Sequence, residues 1–177
     1  GATLTKQNDD SIVASGTLAK DTYTIVAPVD LAGITGIKLE AIADDSLPAK
    51  GPGRAQNGNF VVSELKVSLE AKSEPSQSAP VELANGSADF AQSGFPAANA
   101  IDGNEETGWA VSPQFGKSHE ALFETKEDVG QAGGSILTIT ISQQYTDGKH
   151  VLGKFRLSVT DERSWAIVRS CHCRMKS

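Results

Sequence analysis

Residues 135–145 read "SILTITISQQY", and two sets of side chains alternate through them. Ile136, Thr138, Thr140 and Ser142 fall on one side of an extended chain, while Leu137, Ile139 and Ile141 fall on the other. A period of two marks a strand with one buried face, and the second set is expected to face the core. Outward from this stretch the pattern recurs. "GKFRLSVT" (153–160) turns Phe155, Leu157 and Val159 inward, and "ITGIKLEAIA" sets Ile37, Leu39 and Ala41 against Lys38 and Glu40. "HEALFET" (119–125) is a further strand, and "TYTIVA", within residues 11–28, has the β-branched and aromatic content of another. "FVVSELKVSLEA" keeps the period except that Val62, Leu65, Val67 and Leu69 change parity, which fits a bulge near Ser63 and Glu64.

Between these strands lie segments that cannot hold a ladder. Residues 44–60, "DDSLPAKGPGRAQNGNF", form a long surface loop, and loops of this length in compact domains are often functional. Residues 70–80 form a polar connection. The stretch after it carries one short strand and then irregular backbone, with at most a single helical turn around Pro96 to Ile101. "QAGG" and "TDGKH" are turns. With no helices to cover a parallel sheet, the chain is expected to be all-β, an antiparallel β-sandwich or jelly roll. Residues 1–162 make one domain, whose first 30 residues could form a peripheral hairpin, and residues 163–177 make a tail that is either an extra strand or disordered.

Composition agrees with that class and excludes others. The chain has 177 residues, 38% of them hydrophobic, with 17 glycines, which suits short strands joined by tight turns. With 16 basic and 22 acidic residues the net charge is -6, and no basic run is present, so nucleic acid is not an expected partner. No stretch approaches the roughly 18 apolar residues that cross a bilayer. The only cysteines, Cys171 and Cys173, sit together in "SCHCRMKS". Two thiols and His172 within three residues do not supply the four ligands of a structural zinc site, and the pair is read as an incidental feature of the tail.

Several polar residues are candidates for ligand contact. Arg54, Asn57 and Asn59 lie in the Gly-rich loop, where directional donors and close backbone approach suit a polar ligand, although an ordered loop clamped by Arg54 to a carboxylate would look the same. Gln114, Phe115 and His119 follow the loop that ends in Trp109, and Gln144, Tyr145 and His150 surround the last turn. At one end of a sandwich these could stack on a sugar ring and read its hydroxyls. A glycosidase needs two carboxyl groups roughly 5–10 Å apart. Glu64, Glu82, Glu120 and Glu124 all fall in strand patterns where an outward acid is the default, and no nucleophile elbow, phosphate loop or zinc-binding helix is present. The expectation is a protein without catalytic activity.

"SGFPAANAIDGNEETGW" resembles the motif of discoidin-like, or galactose-binding-like, sandwiches, which include many carbohydrate-binding modules of secreted bacterial enzymes. The resemblance implies a structural calcium ion held by Asp102 through its carboxylate, by Asn104 through its carbonyl, by Thr107 through its hydroxyl or carbonyl, and by a backbone oxygen of Asn99 or Ala100. It also implies an acidic ligand from a distant strand. That strand is normally the last one, which offers Asp161 and Glu162. Trp109 resembles the family's inner tryptophan, packed under the loop. Hard oxygen donors in a tight Gly-containing turn do suit calcium, and the alternative is an Asx-type turn in which Asp102 caps its own backbone. More widely, the order of segments from "GATLT" to "GKFRLSVT" is similar to a module of large exported planctomycete proteins that join a haem-type cytochrome domain to domains of unknown function. Together these resemblances imply an exported module, extracellular, periplasmic or at the cell surface. Its expected work is to bind polysaccharide with calcium shaping the loop. A structural or protein–protein interaction module, packed on other domains of its parent protein, is the alternative.

Overall fold

The computed structural model describes residues 1–74 and 77–162, and the backbone of 171–172. Its strands are β1 (Ala2–Lys6), β2 (Ile12–Gly16), β3 (Asp21–Val29), β4 (Ile34–Ala41), β5 (Glu64–Ala71), β6 (Ala79–Val81), β7 (Leu83–Ala88), β8 (His119–Val129), β9 (Ser135–Gln143), β10 (Lys154–Thr160) and β11 (Cys171–His172). They form two antiparallel sheets. The smaller has the order β3-β9-β5-β6, and the larger β1-β2-β10-β4-β8-β7, with β11 beside the second half of β10.

The alternation in residues 135–145 sets the smaller sheet. Leu137, Ile139 and Ile141 are buried, and Ile139 lies opposite Ile25 on one side and Val67 on the other. Ile37 and Leu39 of β4, Phe123 of β8, and Phe155, Leu157 and Val159 of β10 close the core from the larger sheet. Tyr23 stacks on Phe155 at 5.8 Å, joining the two layers. Each such aliphatic or aromatic side chain contributes about 1.5–3 kcal/mol by leaving water, so this shared layer holds the sheets together. The molecule is an all-β sandwich.

Local features add detail to the pattern read along the chain. The parity change near Ser63 is a bulge, as its pattern suggested: Ser63 N–H donates to the Ser142 carbonyl at 2.8 Å while Glu64 also lies opposite Ser142, and beyond it Val62 bridges to Trp109. Gly108 permits that bridge, because a Cβ there would lie 2.5 Å from the Val62 carbonyl oxygen. The first 30 residues enter both sheets, with β1 and β2 as a hairpin beside β10 and β3 as an edge of the smaller sheet. The 44–60 loop folds onto itself, and Gly53 passes so close to Asn59 that a Cβ would lie 1.9 Å from its carbonyl oxygen. A 3-10 turn, Ala97–Ile101, follows Pro96. Trp165 and Cys173, and the tail apart from the backbone of 171–172, lie outside the described residues.

Candidate functional site

The loop after the 3-10 turn gathers oxygen atoms around one hydroxyl. Thr107 Oγ1 lies 2.8 Å from Asp102 Oδ2, 2.9 Å from the Asn104 carbonyl oxygen and 3.5 Å from that of Asn99. A hydroxyl has one proton, so it can donate to only one of three acceptors. The loop reaches this shape through Gly103, whose φ of +81° lies in the left-handed region, and through Asp102 Oδ1, which accepts from Asn104 N–H at 2.8 Å. The sequence-predicted set Asn99, Asp102, Asn104 and Thr107 is thus brought together, and the Asx turn exists within it.

A carboxylate that sequence reasoning treated as an outward strand residue completes the cluster. Glu64, the first residue of β5, is buried, and its Oε1 accepts from Gly103 N–H at 2.7 Å and Asn104 N–H at 3.1 Å. Burial pushes the Glu64 carboxyl up from its ordinary value. The Gly103 N–H opposes that, and the Asp102 carboxyl beside it adds to it. One carboxyl group and two carbonyl oxygens around a hydroxyl, with a second carboxyl against the same turn, are a donor set of the kind that binds hard cations. Asp161 and Glu162 lie at the far end of β10, where the Glu162 carbonyl accepts from Thr35, so they do not face this loop. The parity change at Ser63 was the one signal that could have marked Glu64.

Trp109 is fully buried beneath the loop; its indole N–H donates to the Phe90 carbonyl at 3.0 Å and its ring meets Phe60 edge-on at 5.0 Å. The Gly-rich loop divides in its roles. Asn59 is buried, donates to Gln92 Oε1 at 3.2 Å and accepts from Val111 N–H at 3.1 Å, so its amide is engaged in the fold. Arg54 reaches backbone, not a carboxylate, donating to the carbonyls of Gly16 and Thr17. Asn57 is exposed and lines a cleft of about 510 Å³ with Ala55, Gln56, Asp147, Lys149 and His150.

Beside that cleft run three half-buried rings. Phe95 meets Tyr145 edge-on at 5.9 Å, and Tyr145 meets His150 at 5.2 Å, while His150 Nδ1 contacts Asp147 Oδ2 at 2.7 Å. Asn57, Tyr145 and His150 are therefore neighbours. Phe95 ties them to the oxygen-lined loop, since only Pro96 separates it from the 3-10 turn.

Gln114 and His119 are not part of this group. His119 is buried, with Nδ1 3.0 Å from Asp89 Oδ2 and Nε2 2.9 Å from the Gln114 carbonyl oxygen. It borders a different cavity, of about 450 Å³, on the outer face of the larger sheet, among Asp9, Glu40, Asp89, Glu120 and Arg156. There Arg156 grips Glu40 through two nitrogens at 2.8 and 2.9 Å, and Lys38 pairs with Glu120 at 3.3 Å. In this second cavity Glu40 and Glu120 have cationic partners, while Asp9 accepts from Ser11 and Asp89 lies against His119.

Among the described residues no group of three or more His, Cys, Asp or Glu side chains converges, so a cation at the loop would rest largely on carbonyl and hydroxyl oxygens. Among the described residues no helix is long and apolar enough to cross a membrane. No family model, curated protein or solved structure matches the chain.

Proposed function

We propose that the chain is a noncatalytic carbohydrate-binding module of the discoidin-like kind, which targets a larger exported protein to polysaccharide outside the cytoplasm. Calcium sits at Asn99, Asp102, Asn104 and Thr107, with Glu64 as the distant acidic ligand. Glycan enters the cleft of Asn57 and His150, with Tyr145 beside it. The observation that carries the reading is the convergence of oxygen acceptors on Thr107 Oγ1, with the exposed Asp102 carboxyl next to the buried Glu64 carboxyl, because a divalent cation removes the repulsion between the two. The rings beside the cleft supply an apolar edge, and Asn57, Asp147 and Lys149 supply donors and acceptors for sugar hydroxyls. The noncatalytic part is supported by the partners of the strand acids, since Glu82 meets Lys126, Glu120 meets Lys38 and Glu124 meets Asn85.

A glycan array read with calcium and then with chelator tests the proposal, alongside calcium titration by calorimetry. Saturable glycan binding that falls on chelation supports it. Calcium binding without any glycan signal leaves the ion and removes the glycan. The second reading, an interaction module within a multidomain surface protein, is favoured by one feature, the open edge of β3 with the exposed Val26 upon it.

A further inference from the structure

Among the described residues the main paths of the two sheets end in β1, β7, β3 and β6, and three of these edges are blunted. β6 is three residues long and contains Pro80, β7 shifts register between Leu83 and Asn85, and β1 has five residues ending in Lys6. Short, bulged, proline-containing or lysine-bearing edges resist further pairing. β3 differs: it runs nine residues, its proline, Pro28, stands next to its end, and among the described residues it pairs only with β9, in an unbroken register. The exposed large hydrophobic side chains among the described residues, Val26 and Leu18, lie on this strand and in the turn before it.

The main-chain groups of β3 that face away from β9 can be identified. Along an antiparallel strand successive residues point their N–H and C=O alternately toward and away from the neighbour. Thr22 N–H donates to Asp21 Oδ1 at 2.8 Å, outside the ladder, and Pro28, of the same parity, has no N–H to give to β9. Thr22, Thr24, Val26 and Pro28 therefore turn their main-chain groups outward.

We propose that this edge pairs with β3 of a second copy of the chain, antiparallel, with Ile25 on the two-fold axis, so that the two smaller sheets become continuous. That axis sets Thr24 of each copy against Val26 of the other, and each such pair exchanges main-chain hydrogen bonds. On the inner face Tyr23 meets Ala27 and Ile25 meets itself. On the flanks Lys20 of each copy meets Asp30 of the other, and Asp30 is an exposed side chain whose present partner is Lys72. The match selects the register. Moving the axis to Thr24 sets Lys20 against Pro28, and moving it to Val26 sets Thr22 against Asp30. A slip that changes parity would place the two cores on opposite sides of the joined sheet. The contact is isologous and closes on itself, as two-fold dimers do, and it depends on neither calcium nor glycan.

Sedimentation velocity of the full chain, from low micromolar to several hundred micromolar, tests the proposal with two sets of variants. A reversible monomer–dimer equilibrium is expected for the natural sequence. Thr24→Pro removes an outward donor and places a ring where the second strand would lie, while asking nothing of β9, so dimerisation should weaken about tenfold or more with the monomer still folded. Lys20→Glu should weaken it about threefold to thirtyfold, and adding Asp30→Lys should restore it, whether or not the proline variant folds. A natural chain that stays monomeric throughout, a folded Thr24→Pro variant that dimerises as before, or charge variants that leave the equilibrium unmoved would each overturn the proposal.

Discussion

Glu64 is the residue at which fold and site oppose each other. Its buried carboxyl closes the loop by accepting from Gly103 and Asn104, yet burial and Asp102 raise its proton affinity. An acid whose folded-state value is raised contributes stability that is full below the ordinary value of 4.5 and is lost as pH rises through the raised one. In chelator, therefore, the melting temperature should fall across that window, and calcium should restore it above the window while having little effect below. Calorimetric scans at paired pH values, with and without calcium, check this. Glu64→Gln keeps an acceptor for Gly103 and offers Asp102 a donor, so it should hold or raise the melting temperature in chelator while lowering calcium affinity about tenfold or more. Asn59→Ala strands the Val111 N–H and the Gln92 amide oxygen, and urea denaturation should show a loss of about 1–3 kcal/mol for each group left buried without a partner. Neither residue's role was legible in the sequence. Glu64 meets the loop across 39 positions and Val111 meets Asn59 across 52, and strand periodicity contains no information on such pairings. Asp102 and Thr107 were legible because their whole geometry lies within one short turn.

At the scale of elements, β9 shows how much periodicity can give. Its inward set was correctly read from alternation alone, because both faces of a central strand are defined by the same two neighbours for its whole length. Ile139→Ala should cost about 2–5 kcal/mol through lost transfer energy and the cavity left behind. Thr140→Val, one residue on and facing out, should stay within about 0.5 kcal/mol. Chemical denaturation of the pair measures the contrast, and similar losses at both positions would contradict the sheet assignment. Loops were legible as loops but not as shapes. The Gly-rich segment read as a surface for ligand, whereas half of it turns inward so that Gly53 can lie against Asn59. Gly53→Ala should therefore destabilise the protein although it adds a single methyl group, and it should do so more than the same change at Gly94, where a Cβ meets nothing within 4 Å. The bridge from Val62 to Trp109 was not legible for a related reason: Trp109 lies in a loop and has no strand pattern to announce it.

For the whole molecule, the shared core of the two sheets argues for one cooperative unfolding transition, seen at the same temperature in near-ultraviolet and far-ultraviolet circular dichroism. A sandwich with its own core in each half would give two. The order of strands adds a further consequence. In each sheet a late strand is inserted between early ones, β9 between β3 and β5, and β10 between β2 and β4. Pairings this distant in sequence are slow to form, because the intervening chain must close first. On a ribosome the early strands would emerge and wait, with their neighbours not yet made, until the chain had been extended through Thr160. Until that point the early strands lack their partners, and the polypeptide remains loose enough to thread a narrow channel.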